Sequence, residues 1–136
     1  MRFIIDANIL FAALIKKSVT ADLLAVGNLG LYAPEFLLEE FQKYEDLILK
    51  KTHRSSEEFH QYLTFIKRRI KFVPIKNIIA HLEKATLISP DPKDTVYLAL
   101  AIALDAIIWS NDKRLKEKQN KIPVFNTSEI IELIKL

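Results

Sequence analysis

An α/β domain built on a central, mostly parallel sheet is the fold this sequence predicts, on three observations. Short apolar runs alternate with longer segments of helical periodicity, the order that βαβ units produce. The first run, Phe3-Ile4-Ile5, is apolar without alternation, as in a strand covered on both faces. Half of the 136 residues are apolar and 27% are charged, enough for one domain with a sizeable core. No repeat, low-complexity tract or Gly/Ser linker divides the chain, so residues 1–136 are read as a single domain.

The elements follow in order. A strand at about 2–6 leads into a helix containing NILFAALI, and a second helix around ADLLAVGN precedes a short strand at LYA, residues 31–33. Pro34 then opens a long helix, EFLLEEFQKYEDLILKK, whose inward stripe is Leu37, Phe41, Tyr44 and Ile48. After a turn at THRSS, Ser55 and Glu58 have capping-box spacing, and the helix they start carries a stripe at Phe59, Tyr62, Leu63, Ile66 and Ile70. Next come a strand at FVPI, a helix NIIAHLEKATLI, a helix VYLALAIAL beginning near Pro92, and a strand AIIWS at 106–110. A short charged helix, a strand PVF and a final helix SEIIELIKL complete the chain. The prediction is thus four or five short strands with helices on both faces, and a helical subregion between the second and third strands.

Composition narrows the function classes. With no cysteine there is neither a disulfide framework nor a thiolate zinc site. The longest apolar stretch, LALAIALDAIIW, is broken by Asp105 and is too short to span a bilayer. A strand starting at residue 2 leaves no room for a signal peptide, so the expectation is a cytoplasmic protein. A net charge of +3 permits a nucleic-acid partner without demanding one. Two glycines, at 27 and 30, cannot form a G-x-G-x-x-G dinucleotide loop. A phosphatase of the haloacid-dehalogenase type needs an aspartate where Asn8 stands, and a receiver domain needs acids that VPIK lacks.

Acids at element ends carry the chemistry. Open α/β sheets bind ligands beyond the carboxyl ends of their strands. Asp6 sits there after the first strand, and Asp112 emerges at the same edge after AIIWSN. Glu40 lies beside the buried stripe of its helix, where a carboxylate is costly unless paired or coordinated to metal. Asp94 opens a helix so apolar that it must be central. Asp91 before Pro92 reads first as a helix cap. Capping could also occupy Asp112, and a salt bridge Glu40; Asp6 is the hardest to explain structurally. Four clustered carboxylates would raise one another's pKa, and a hard divalent cation, Mg²⁺ or Mn²⁺, removes that conflict. The chemistry such a site supports is phosphodiester hydrolysis. His53, His60 and His81 are dispersed and lack ligand spacing.

Taken in order, IIDANIL, APEFLLEEF, DTVYLALA and IIWSND resemble the motifs of PIN domains, the PilT N-terminus-like ribonucleases that include VapC-type toxins. The resemblance spans essentially the whole chain. It implies a metal-dependent endoribonuclease, often homodimeric, in which Asp6, Glu40, Asp94 and Asp112 hold one or two Mg²⁺ or Mn²⁺ ions. Asn8 and Ser110 would then be supporting or water-positioning groups, serine standing where threonine is common. Members with two acids in the 91–94 loop leave Asp91 open as a further ligand. The toxin branch implies a small antitoxin partner. For RNA, Lys113 and Arg114 adjoin the site, while Arg68 and Arg69 belong to a second basic run that reads equally as a solvated helix face. The competing reading is a nucleic-acid- or protein-binding module that keeps this fold without cleavage.

Overall fold

The computed structural model describes residues 1–15 and 18–135. Five strands, β1 (Arg2–Ile5), β2 (Gly30–Pro34), β3 (Lys71–Val73), β4 (Ile107–Trp109) and β5 (Val124–Phe125), form one sheet in the order β3-β2-β1-β4-β5. Every pairing is parallel, so the sheet exceeds the "mostly parallel" expectation. Phe3, Ile4 and Ile5 are fully buried, because β1 is central and covered on both faces. The chain leaves β1 toward β2 and β3, then returns to the other side of β1 as β4. The sheet therefore has its topological switch point between β1 and β4, and the pair Ile5↔Trp109 sets their carboxyl ends side by side.

Helices α1 (Ala7–Ala12) and α2 (Val19–Leu24) join β1 to β2, and α3 (Glu35–Lys43), α4 (Glu45–Thr52) and α5 (Ser56–Arg69) form the predicted helical subregion before β3. The capping box at Ser55 and Glu58 is present. The long helix expected over 35–51 is two helices, broken at Tyr44. Leu37, Phe41 and Ile48 are buried as predicted, but Tyr44 is 48% exposed. The physical reason is a divided packing duty: α3 lies on β2 and β3 whereas α4 lies on α5, and one straight helix cannot serve both.

Between β3 and β4 the single helix expected at 77–88 is two 3₁₀ turns, Ile75–Asn77 and Ile79–His81, followed by α6 (Leu82–Ile88). The tighter turns bury Ile78 and leave Ile75 and Ile79 outside. A further 3₁₀ turn, Pro92–Asp94, starts the central helix α7 (Thr95–Leu104), whose Leu98 to Ala101 are fully buried. Then come α8 (Lys113–Glu117) and α9 (Thr127–Ile134). Leu136, the last residue predicted for the final helix, lies outside the described residues. The left-handed residues that end α4 and α7 are His53 and Asp105, not glycines. Among the described residues no helix is long and apolar enough to cross a membrane.

Candidate active site

The cleft lies at the carboxyl edge of the sheet, at the β1/β4 switch point. Asp6 directly follows β1 and caps α1, its Oδ1 accepting from the Ile9 amide at 3.0 Å. Ser110 directly follows β4, is almost fully buried, and donates its hydroxyl to the other carboxylate oxygen of Asp6. The same hydroxyl oxygen accepts from the Asp112 amide at 3.1 Å. Ser110 therefore ties the ends of the two central strands together and orients Asp6. Asp112 in turn caps α8, its Oδ1 accepting from the amides of Arg114 and Leu115 at 2.9 and 3.3 Å.

Asp94 ends the 3₁₀ turn ahead of α7, which runs against the strands and so brings its amino terminus to this edge. Glu40 comes from α3 on the far wall, where it is exposed. Asp6, Asn8, Glu40, Asp94 and Asp112 all line one cleft of about 590 Å³. Four of the sequence-predicted acids are thus brought together from four separate parts of the chain.

Electrostatics mark the crowding. Burial pushes the Asp6 carboxyl up, and the Asp112 charge adds to it, against the hydrogen bonds from Ser110 and the Ile9 amide. Asp94 is also raised, first by burial and then by Asp112 and Asp91; Arg114 and Lys93 oppose this. Among the described residues no three His, Asp or Glu side chains are clustered tightly enough to hold a metal ion. The donors are all oxygen and spread around the cleft. Such a set fits a small hard cation that takes few carboxylates directly and keeps several waters, as Mg²⁺ does. It offers nothing to a soft metal.

The structure separates the remaining candidates. Asp91 is outside the cleft wall: its Oδ1 accepts from the Lys93 amide at 2.9 Å, and its Oδ2 faces the Arg114 guanidinium at 3.9 Å. Lys113 and Arg114 are exposed beside Asp112. Arg68 and Arg69 are at the opposite edge, at the end of α5 and ahead of β3. Arg69 donates to the carbonyl oxygens of Val26 and Leu29, just before β2, and so fastens the loop that enters the sheet.

Sequence reasoning missed Tyr97. It lines the cleft one helical turn after Asp94, packs edge-on to Phe36 at 6.0 Å, and is 9% exposed. Burial, then the charges of Asp6 and Glu40, push its phenol up, so it remains a neutral hydrogen-bond donor. The signal was present: three residues past Asp94 is the same helix face. It was hidden because tyrosine in an apolar helix reads as core.

A family model described as "PIN domain" matches residues 4–127. Among solved structures, the fold is similar to a chain in the crystal structure of VapBC2 from Rickettsia felis bound to a DNA fragment from their promoter. That match covers 93% of this chain and 98% of the other, with 18% sequence identity and a TM-score of 0.62. At such identity the likeness concerns the fold alone. No curated protein matches.

Proposed function

The chain belongs to the PIN-domain family, and from that premise we propose that it is a metal-dependent endoribonuclease, hydrolysing RNA phosphodiester bonds in the cleft at the β1/β4 switch point. One observation carries the reading: four separate parts of the chain each contribute one carboxylate to the same cleft, although burial, with neighbouring acids adding to it, raises the carboxyls of Asp6 and Asp94. Asp6 and Asp112 also cap helices, but capping does not call for four carboxylates in one cleft, and carboxyls raised in this way are the signature of a site.

Asp6, Asp94 and Asp112, with Glu40 on the far wall, would hold Mg²⁺ or Mn²⁺. When bound, such an ion supplies Lewis acidity toward a phosphodiester and lowers the pKa of water. The protein's own groups do the positioning. Ser110 fixes the Asp6 carboxylate and the turn into α8, Asn8 presents an amide to the cleft, and the Tyr97 hydroxyl can donate to a water or phosphate oxygen. Lys93, Lys113 and Arg114 supply cations for flanking phosphates. Asp91 acts as cap and as counter-ion of Arg114, not as a ligand. Arg68 and Arg69 lie outside this footprint. The family's toxin branch and the VapBC2 likeness support a small antitoxin-type protein as partner; a cytoplasmic location and a homodimer are carried over from the family resemblance alone.

The test is cleavage of a pool of single-stranded and structured RNAs by wild type and Asp6→Asn, each with Mn²⁺, Mg²⁺ or EDTA. Cleavage by wild type with metal, lost in the variant and in EDTA, is the expected result. No cleavage in any lane, with no metal-dependent rise in melting temperature, would sink the nuclease and favour the binding module.

A further inference from the structure

Tyr44 is where the amphipathic pattern and the structure part. The stripe Leu37, Phe41, Tyr44, Ile48 would carry its ring inward in one straight helix, yet the helix breaks at this residue and the ring is 48% exposed. Leu47, one turn later, is 50% exposed as well. Large apolar groups left outside by a local break in pattern point to a binding surface.

These two side chains line an apolar groove of about 210 Å³, floored in part by Phe11. The groove is continuous with the acid cleft, since Ala7, Asn8 and Glu40 line both. A chain whose phosphate lay among the carboxylates would thus pass directly into a mainly apolar, aromatic-lined recess, with Glu40 at its junction with the cleft. Lys43 places its ammonium 5.4 Å from the centre of the Tyr44 ring, so a cation accompanies the aromatic face. An aromatic platform with an adjacent cation is how proteins take unpaired nucleotides, the ring stacking on the base and the cation meeting its phosphate.

We propose that this groove is a nucleobase subsite: it receives an unpaired base next to the scissile phosphate of single-stranded RNA, stacked on Tyr44, with Lys43 on the neighbouring phosphate. The proposal rests on the nuclease reading above and adds to it the place where one base of the substrate is held. A base paired in an A-form helix cannot leave its stack to enter the recess without the cost of unpairing.

The experiment uses Tyr44→Trp as a reporter. Trp109 is the sole tryptophan of the natural chain and is fully buried, so its emission is insulated from the groove. A short single-stranded oligoribonucleotide, in Ca²⁺ to limit turnover, should quench Tyr44→Trp but not wild type, and a hairpin of the same composition should quench it less. In parallel, Tyr44→Ala should bind the single strand about tenfold more weakly. It should raise KM in the Mn²⁺ cleavage assay with kcat near wild type, while Tyr44→Phe retains affinity. Melting temperatures with and without Mn²⁺ check that folding and metal binding persist in each variant. Wild-type cleavage with no quenching and unchanged affinity in Tyr44→Ala would overturn the subsite alone. Emission that depends on protein concentration and not on RNA would give the groove to a second copy of this chain, and so overturn it too. Absence of both RNA binding and cleavage in wild type would remove the nuclease reading, and the subsite with it.

Discussion

Acids near helix starts occur in two settings in this molecule, and they titrate in opposite directions. At the outer ends of α5 and α9, Glu58 and Glu129 close capping boxes. The Ser55 amide and Arg54 hold the Glu58 carboxyl down at about 2, and Lys116 and the Asn126 amide lower Glu129. At the carboxyl edge of the sheet, burial and neighbouring acids raise Asp6 and Asp94. The residue chemistry is the same; what differs is who faces the carboxylate. Donors outweigh burial for the first pair; for the second, burial and neighbouring carboxylates outweigh the donors to Asp6 and the cations near Asp94. The first arrangement stabilises the fold, whereas the second is tolerated by it, which is the pattern expected of a functional site.

The contrast is sharpest in removal experiments. Asp6→Asn and Asp94→Asn should each cut RNA cleavage by at least about 100-fold, the scale reached even by groups that only support a metal ligand. In EDTA, Asp6→Asn should melt above wild type, because asparagine keeps a cap for α1 and removes a crowded charge. A variant that melts below wild type in EDTA would contradict the crowding. Ser110→Ala keeps every carboxylate but frees Asp6 to turn, so activity should fall about 10- to 100-fold. Rescue by Ser110→Thr, which restores the hydroxyl, separates that role from mere packing.

Two smaller effects test the remaining halves. Arg114→Ala should weaken RNA binding several-fold and reduce the salt slope by about 1, the effect of losing one phosphate contact. Equal affinity across a salt titration would remove Arg114 from the footprint. Asn126→Ala, at the α9 cap, should cost about 1 kcal/mol of stability and leave cleavage per folded molecule unchanged. Denaturant unfolding alongside the cleavage assay reads both.

The smallest effect is a difference in pH dependence. A carboxyl raised in the folded state keeps its proton where the unfolded chain has lost it. Asp6 and Asp94 therefore favour the fold at low pH, and stability falls as pH rises from about 4 through their raised values in metal-free protein. Glu58 behaves inversely: its contribution is present above about 4.5 and is lost as pH falls toward 2. Thermal melts of wild type, Asp94→Asn and Glu58→Gln across that range should show difference curves of opposite slope. Mn²⁺ should stabilise wild type more as pH rises, since its ligands must be deprotonated.

Much of this protein could be read from its residues alone. Alternation of apolar runs and helical periods determined a parallel α/β sheet, because each period of the chain answers to local geometry and to the need to cover both faces of β1. The Ser55–Glu58 cap was visible as a spacing, since a capping box involves neighbours in sequence. The four acids were visible because a carboxylate that follows an apolar strand, opens an apolar helix or borders a buried stripe stands out from its surroundings, although Asp6 and Asp112 also cap helices.

Other features needed the chain to be folded. The hydroxyl of Ser110 and the carboxylate of Asp6 are 104 positions apart, and only the β1/β4 register makes them partners. Asp91 reads in the sequence as a cap with ligand duty left open, and only the fold shows that it faces an arginine while Asp94 faces the cleft, a distinction of direction within a single tight turn. Arg69 reads equally as an RNA contact or a solvated charge, and in the fold it holds the loop before β2. The break at Tyr44 also came from outside its own helix, because α3 must lie on the sheet while α4 lies on α5. Periodicity reports what one element wants from its own backbone. Which neighbour each side chain meets is decided by contacts distant in sequence, and those exist only in three dimensions.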